Sequence, residues 1–311
     1  MKKENELINK IKHLLLKTKT PKRLHHFGPK IYELWQHIFS LFVKSECCLS
    51  YRRTTTFLRT LGFNVATKST LQRYAKKLKI GFWQEMFRQT ISKSSKIVCL
   101  DGTGLSKTKA SDHYIRRIDG KRPFCKGYHL SILVGENSKI LNLRIRKKYC
   151  HDTKDVKYLF KGLKKKPKIV LMDKGYDSEK LHSYFAMQNI WSIAPVRKNF
   201  KRGIYRRKLA KNFPQKLYNK RNRVESVFHA LNQKYGSSIS SIHISCARTE
   251  IYCRSILYNL FLRIVRLLGQ TLITKKTIKE KEIQKIDKPI TKKDYSLKQG
   301  SLTLKKEKQQ G

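Results

Sequence analysis

The chain has few acidic residues: 21 Asp and Glu stand against 71 Lys and Arg, which gives a formal net charge of +50 over 311 residues. A charge of this size opposes a compact monomer by self-repulsion and concentrates polyanions around the protein. The basic residues run through the whole chain rather than forming a single tail. This distribution favours nucleic acid, bound along an extended surface, over anionic lipid as the partner.

Cysteine pairs with the spacing of metal or redox motifs are missing. The seven cysteines are scattered, their number is odd, and no CxxC pair occurs. A disulfide framework is therefore not expected, and a reducing cytosol fits best. A zinc site made of Cys246, Cys253 and a histidine is an alternative, but its spacing matches no common zinc pattern. We expect the cysteines to be small buried side chains.

Apolar runs long enough to span a bilayer are also missing. The most apolar stretch, residues 256–268, is short and is interrupted by Arg263 and Arg266, so it predicts a buried amphipathic helix. The first ten residues are charged and lack the apolar segment of a signal peptide. We therefore expect a cytoplasmic protein without a membrane partner.

The apolar fraction of 39% is nevertheless large enough to build a core. Changes in composition along the chain predict three regions. Residues 1–92 are predicted to be an all-α DNA-binding region, residues 93–269 an α/β catalytic domain, and the lysine-rich residues 270–311 a disordered basic tail.

The helical region contains the outline of a helix-turn-helix at about residues 50–79. Apolar spacing first predicts a helix over residues 31–44, and two more follow over 50–61 and 67–78, with Gly62 in the break between them. Thr67 or Ser69 would cap the third helix. That helix would lie in the major groove, where Arg73 would contact DNA. The alternative is an ordinary helical hairpin with a solvated basic face.

The α/β region alternates strand-like and helix-like segments. Strands are predicted to end at Asp101 and Asp173 and to cover residues 128–134, 140–146 and 191–196. Helices are predicted from Asp152 or Thr153 to about Leu163 and over residues 178–188, with Asp177 and Ser178 capping the second. The order β-β-β-α-β-α-β indicates a mixed five-stranded sheet flanked by helices.

Residues 197–223 are rich in basic and poor in apolar side chains, which predicts a loop or lid beside a polyanion. These side chains would contact the DNA backbone and position the DNA without reading its sequence. The predicted contacts are Arg197, Lys198, Arg202, Arg206 and Arg207.

Three carboxylates stand out because acidic residues are scarce. Asp101 and Asp173 each end an apolar run, and ligands gather at the carboxyl ends of strands in α/β sheets. Glu225 borders the buried stripe of a predicted helix. Three converging carboxylates repel one another unless they bind cations, and oxygen ligands suit Mg²⁺ or Mn²⁺. Two such ions, about 3.5–4 Å apart, would support phosphoryl transfer.

The predicted Glu225 helix also carries polar side chains that share its face. Tyr218, Arg221, Glu225 and Asn232 stand at positions i, i+3, i+7 and i+14, which place them on one side of a single helix. The Arg221 guanidinium has the fork geometry that suits phosphate, and Tyr218 would accompany it at the DNA.

These motifs resemble those of insertion-sequence DDE transposases. Asp173-Lys174-Gly175-Tyr176-Asp177-Ser178 is similar to the second-aspartate motif of that family, Tyr218-x2-Arg221-x3-Glu225 to its glutamate signature, and Asp101-Gly102-Thr103 to its first-aspartate motif. His151-Asp152 resembles a further segment, and the similarity covers about residues 95–265.

The resemblance implies an RNase H-like catalytic domain whose site is Asp101, Asp173 and Glu225. The reaction would cut the terminal inverted repeats of a mobile element in double-stranded DNA and join the 3′-hydroxyl ends to target DNA. It also implies a homodimer in a synaptic complex at the nucleoid of a prokaryote. The 52 residues from Asp173 to Glu225 leave little room for the β insertion of some relatives.

One position departs from the family pattern. Asn232 stands seven residues after Glu225, where the family has a lysine. Lys234 is about 200° further round the helix and cannot simply replace that lysine, whereas His229 shares the face of Glu225. A catalytically inactive DNA-binding relative therefore stays open as an alternative, as does a non-transposing RNase H-like nuclease.

Overall fold

The computed structural model describes residues 2–24, 30–91, 95–106, 117, 127–147, 151, 153–163, 165–200 and 202–262. The predicted tail at 270–311 lies outside the described residues, as do Cys125 and Cys150. Residues Met1–Phe261 form one compact unit, so the N-terminal helices and the sheet are packed together.

Among the described residues, five helices precede the sheet, in agreement with the predicted all-α character of this region. They are α1 (Lys2–Lys17), α2 (Leu34–Glu46), α3 (Tyr51–Thr60), α4 (Lys68–Lys77) and α5 (Ile80–Arg88). The predicted helix over residues 31–44 is present, but it begins at Leu34. Ile38, Phe42 and Trp83 are fully buried between these helices and form part of the main core.

Helices α3 and α4 form the predicted pair around a glycine turn. The Ser50 hydroxyl caps α3 by accepting a hydrogen bond from the Arg53 amide at 3.3 Å. Gly62 has a φ of +79°, a left-handed conformation that favours glycine. Of the two predicted caps of α4, Thr67 is the one used, because its hydroxyl accepts from the Thr70 amide at 3.4 Å.

The sheet has five strands: β1 (Ile97–Leu105), β2 (Tyr128–Gly135), β3 (Ile140–Arg146), β4 (Ile169–Met172) and β5 (Trp191–Ile193). Their spatial order is β3-β2-β1-β4-β5. The first three strands are antiparallel neighbours, whereas β4 runs parallel to both β1 and β5. This arrangement confirms the predicted α/β class, with a mixed five-stranded sheet, flanking helices and an N-terminal helical region.

In the described part of the chain, six helices follow the first three strands: α6 (Thr153–Lys161), α7 (Glu179–Ala186), α8 (Ile204–Lys211), α9 (Gln215–Tyr218), α10 (Asn222–Tyr235) and α11, which begins at residue 244 and is described as far as residue 262. Short 3-10 segments cover Lys174–Tyr176 and Asn219–Arg221. The prediction of a loop or lid over residues 197–223 is wrong in part, because α8 and α9 lie within it.

The two faces of the sheet are covered by different helices. Cys99 and Leu171 point to a core shared with α10, α11 and the N-terminal helices. Leu100 and Met172 point to a second core, which α6 and α7 cover. Because side chains alternate along a strand, Asp101 and Asp173 lie on the face that carries α10.

The cysteines follow the prediction only in part. Cys99, Cys246 and Cys253 are buried, but Cys47 and Cys48 are exposed where α2 ends. Within the described ranges, no group of three or more His, Cys, Asp and Glu is placed to hold a metal ion. The alternative zinc site with Cys246 and Cys253 is therefore not found there. No helix in that part of the chain is long and apolar enough to cross a membrane.

Candidate active site

Strand register places the two predicted aspartates side by side. Leu100 of β1 pairs with Met172 of β4 in parallel register, so the residues that follow each of them, Asp101 and Asp173, are neighbours. Asp173 directly follows β4. Asp101 does not end its strand as predicted, because β1 continues beside β2 to Leu105. Asp101 instead lies where the pairing of β1 with β4 ends.

Arg221 connects all three predicted carboxylates. Its Nη2 donates to Asp101 Oδ2 at 2.8 Å and lies 3.9 Å from Asp173 Oδ1. Its Nη1 donates to Glu225 Oε1 at 2.5 Å. The structure therefore brings Asp101, Asp173 and Glu225 together around one cation.

The three carboxylates differ in their access to solvent. The side chains of Asp173 and Glu225 are 50% and 56% exposed, whereas that of Asp101 is 18% exposed and that of Arg221 only 13%. The Arg221 guanidinium thus forms the floor of the site, and two of its three carboxylate partners face water. Burial alone would lower the pKa of Arg221, but Asp101 and the other acidic neighbours raise it above its usual value.

A buried cysteine attaches the start of α10 to the sheet. The Cys99 thiol, two residues before Asp101, donates to the carbonyl of Lys220 at 3.5 Å. Burial raises the pKa of Cys99 to about 11, so the thiol is neutral near pH 7 and has a structural role. The Asp101 side chain also accepts a hydrogen bond from the Gly102 amide at 2.8 Å, which fixes its orientation.

Tyr218 lies beside the site, but the predicted single helix is interrupted. Tyr218 ends α9, and a 3-10 segment at Asn219–Arg221 separates it from α10. Its ring packs edge-on against Phe213 at 5.1 Å between centroids. Burial, followed by the influence of the site carboxylates, raises the pKa of Tyr218 although Arg221 opposes this shift. The phenol is therefore a hydrogen-bond donor at neutral pH.

The position that departs from the family pattern faces solvent. Asn232 and His229 are both exposed on α10. Lys234 forms an ion pair with Glu46 of α2 and lies 3.9 Å from the ring centroid of Phe261. Lys234 thus packs between helices and does not take the place of the family lysine, which is Asn232 in this chain.

The predicted DNA-contacting residues fall into two groups. The structure places five of them at the surface: Arg73, Arg197, Lys198, Arg202 and Arg207. Arg206 instead forms a two-pronged ion pair with the buried Asp177, with Nε to Oδ1 at 2.9 Å and Nη2 to Oδ2 at 2.8 Å. Its guanidinium is therefore committed to the interior of the fold.

Asp177 has a different role from the predicted helix cap. Its carboxylate accepts hydrogen bonds from Arg206 and from the Arg197 amide, the latter at 2.9 Å. Ser178 precedes α7 and makes no side-chain cap either. Arg197 and Arg206 are 20 and 29 residues after Asp177 along the chain. The concentration of arginines after residue 196 is therefore the one signal that the sequence gives for these contacts.

Glu179 is a further structural residue that the sequence prediction missed. It accepts hydrogen bonds from the amides of Tyr205 and Arg206, at 3.0 and 3.3 Å, so a carboxylate lies at the N-terminus of the basic helix α8. His151, in contrast, is exposed, and its Nδ1 lies 3.0 Å from the Thr153 hydroxyl.

The three carboxylates have the donor chemistry that suits a hard divalent cation, but they surround Arg221 instead. Asp101, Asp173 and Glu225 supply only carboxylate oxygens, the ligand type that suits Mg²⁺ and Mn²⁺. Around the Arg221 guanidinium they are not grouped to hold a metal ion in the described part of the chain. The family model described as "Transposase DDE domain" matches residues 92–260, more than half of the chain, and this range includes all three carboxylates. The chain belongs to the transposase DDE-domain family.

Other comparisons add little detail to this family assignment. A cryo-EM structure of the piggyBac transposase synaptic complex with hairpin DNA is 12% identical in sequence, with a TM-score of 0.45. That match covers 93% of this chain and 80% of the other. No curated protein matches the chain.

Proposed function

We propose that this DDE-family chain is a DNA transposase that cleaves the ends of a mobile element and transfers the 3′-hydroxyl ends to target DNA. The observation that carries the proposal is the convergence of Asp101, Asp173 and Glu225 on Arg221, within the range matched by the family model. Water would attack first and free the 3′ end, and that 3′ hydroxyl would then attack the target strand.

Asp101, Asp173 and Glu225 would hold the two divalent ions, Mg²⁺ or Mn²⁺, that the family resemblance implies. When bound, such ions activate the attacking hydroxyl and stabilise the leaving oxygen of a phosphodiester. Arg221 forms ion pairs with the same three carboxylates. The Arg221 guanidinium and a divalent ion repel each other and would compete for the same carboxylates. Arg221 would therefore have to leave the carboxylates when the ions bind.

Once released, Arg221 would contact DNA. Its side chain starts from the floor of the site, so a phosphate of the scissile strand would be within its reach, and a guanidinium binds phosphate through two parallel hydrogen bonds. Tyr218 would donate a hydrogen bond to the same strand, since its raised pKa keeps the phenol protonated.

The DNA itself would lie along the basic surface next to the site. Arg197, Lys198, Arg202 and Arg207 are exposed and would contact the backbone, whereas Arg206 would hold α8 in place through Asp177. Asp177 follows Asp173 closely along the chain and is paired with Arg206 of α8. This ion pair would place the charges of α8 beside the catalytic carboxylates.

We assign terminal-repeat recognition to the helical region at residues 1–92, and catalysis to residues 93–269. Within the first region, α3 and α4 would form a helix-turn-helix spanning about residues 50–79. Leu71 and Ala75 bury one face of α4, and Arg73 is exposed on the opposite face. Arg73 would therefore reach base edges in the major groove.

The protein would act as a homodimer, because two ends of the element must be paired in one synaptic complex. We place it in the cytoplasm of a prokaryote, at the nucleoid, as the product of an insertion sequence. Short inverted repeats bordering the gene would support this setting.

A catalytically inactive DNA-binding relative is the second candidate. Two observations favour it: Asn232 occupies the position of the family lysine, and Lys234 is held by Glu46. A protein of this kind would keep the fold and the basic surface, but it would not cleave DNA.

A cleavage and strand-transfer assay separates the candidates. The wild-type protein would be incubated with an oligonucleotide of its terminal repeat and a target plasmid, with Mg²⁺, with Mn²⁺ and without metal. The transposase proposal predicts metal-dependent 3′ nicking followed by joined products. Binding without cleavage under both metals would favour the inactive relative, and metal-dependent cleavage without joined products would favour a nuclease.

A further inference from the structure

A second charged cavity lies away from the carboxylate site, where the N-terminal helices meet the last part of the sheet domain. Its volume is about 440 Å³, and its walls come from the α2–α3 connection, from the segment after α10 and from α11. We call it the Lys44 cavity. The lining residues used below are Lys44, Ser50, Arg53, Ser240, Glu250 and Arg254.

Two cations of the Lys44 cavity are buried. The side chains of Lys44 and Arg254 are 6% and 10% exposed, which would be costly without compensation. Glu250 supplies one negative charge: it lies 2.6 Å from Arg254 Nη2 but 3.7 Å from Lys44 Nζ. With Arg53 at the rim, three cations face one carboxylate, so the cavity has a surplus of positive charge.

Arg254 retains hydrogen-bonding capacity that the fold does not use. Its Nη2 donates to Glu250 and to the Ser238 carbonyl, the latter at 3.2 Å. Its Nε, in contrast, has no hydrogen-bond partner within the described ranges. A buried donor without a partner is unfavourable, so a side-chain movement that opened this nitrogen to the Lys44 cavity would let a ligand supply the missing acceptor.

The start of α3 adds to the positive character of the Lys44 cavity. This ten-residue helix begins next to Ser50, which lines the cavity. The N-terminus of a helix carries partial positive charge and unpaired amide groups, and it favours anions. The Ser50 hydroxyl, which accepts from the Arg53 amide, keeps its own proton and can donate it to an oxyanion, whereas the Ser240 hydroxyl already donates to Glu250.

We propose that the Lys44 cavity binds a phosphate group of the DNA backbone, in addition to the strand held at the carboxylate site. The charges and hydroxyls of the lining suit a tetrahedral oxyanion, and about 440 Å³ leaves room for the sugar that carries it. The choice of DNA as the source rests on the proposed function. The bound phosphate would connect the helical region to the catalytic body through the DNA.

Arg53 provides a test with a matched control. Arg52 and Arg53 are adjacent, exposed and in the first turn of α3, but only Arg53 lines the cavity. Affinity for a short DNA duplex would be measured by fluorescence anisotropy, without divalent metal and at several salt concentrations. Arg53→Ala should weaken binding about tenfold and reduce the salt slope by about 0.9, the value for one phosphate contact. Arg52→Ala, which removes the same charge from the same helix but not from the cavity, should have a clearly smaller effect on both, and Arg53→Lys should restore most of the affinity.

A second arm uses inorganic phosphate, observed by ³¹P NMR, to distinguish the source of the anion. Weaker phosphate and DNA binding in Arg53→Ala supports the proposal. Weaker phosphate binding with unchanged DNA affinity and salt slope would overturn DNA as the source. Equal behaviour of Arg53→Ala and Arg52→Ala in both arms would overturn the site. Because no metal is present, these outcomes are independent of whether the protein cleaves DNA.

Discussion

The Arg221 guanidinium donates to Asp101 at 2.8 Å across 120 residues of sequence, and with its other terminal nitrogen it donates to Glu225 at 2.5 Å. Asp173 completes the group at 3.9 Å. One side chain therefore pairs with all three carboxylates that the family resemblance implies as metal ligands, and it offsets one of their three negative charges. This arrangement makes Arg221 a competitor of any divalent ion at the site.

Removal of Arg221 should therefore strengthen metal binding. In Arg221→Ala, we expect Mn²⁺ to bind about tenfold more tightly, because the charge-assisted hydrogen bonds that the ion must displace are gone. The dissociation constant can be measured by electron paramagnetic resonance without DNA. Arg223→Ala is the matched control, since it removes the same charge two residues away. Unchanged or weaker Mn²⁺ binding in Arg221→Ala would contradict the competition.

Replacement of Arg206 should reduce stability far more than replacement of Arg207. Arg206→Ala leaves Asp177 buried without its main cationic partner, and the loss of one member of a buried pair costs about 3–5 kcal/mol. The exposed Arg207→Ala should change the free energy of unfolding by no more than about 0.5 kcal/mol. Urea denaturation of both variants measures this difference. Equal stability would mean that Arg206 does not hold α8 to the fold.

Most strands and helices can be predicted from local sequence patterns, but helix α8 depends on contacts with residues that are distant along the chain. The strands around Val98 and Val170 are apolar runs that any periodicity analysis finds. Helix α8 has only one buried residue, Leu209, so its sequence resembles a loop. It is stabilised by Glu179 and Asp177, which are more than 20 residues earlier.

The same distinction applies to the site. The resemblance to family motifs identified Asp101, Asp173 and Glu225, and strand register and α10 bring them together. The continuation of β1 beyond Asp101 was not predicted, because Gly102 and Gly104 suggest a turn, whereas here both pair with β2. The partners of Arg221 in the absence of DNA also depend on tertiary structure, which a local motif does not encode.

Glu250 should make stability depend on pH in acid. Burial alone would raise its pKa, but Lys44, Arg254 and the Ser241 and Ser240 hydroxyls lower it below the ordinary value of 4.5. A lowered folded pKa gives stability that is present above the unfolded pKa and is lost as the pH falls through the folded pKa.

The corresponding test compares two glutamates. Glu250→Gln should destabilise the protein by about 3–5 kcal/mol at neutral pH, and its difference from wild type should shrink as the pH falls below 4.5. The Glu85→Gln control breaks a half-exposed pair with Arg88 and should cost less than about 1 kcal/mol. Urea titrations at several pH values measure both. A Glu250→Gln difference that does not vary with pH would exclude this linkage.

Arg73 should affect sequence preference more than overall DNA affinity. A bidentate contact to a base contributes about 1–3 kcal/mol of discrimination, so Arg73→Ala should lower affinity for the terminal repeat and leave affinity for random duplex nearly unchanged. Competition binding with the two duplexes gives the ratio directly. An equal loss for both would assign Arg73 to the phosphate backbone instead.

The central claim is that Asp101, Asp173 and Glu225 form one catalytic site, and metal-dependent cleavage of terminal-repeat DNA by Asp173→Asn tests it most directly. Glu136→Gln is the matched control, because it removes an equal charge far from the site. Glu136 lies in the β2–β3 turn and follows Gly135, which pairs with Val98 near the start of β1. We predict that Asp173→Asn binds DNA like the wild type but loses at least about 100-fold in cleavage rate, while Glu136→Gln cleaves normally. Wild-type cleavage by Asp173→Asn would contradict the account.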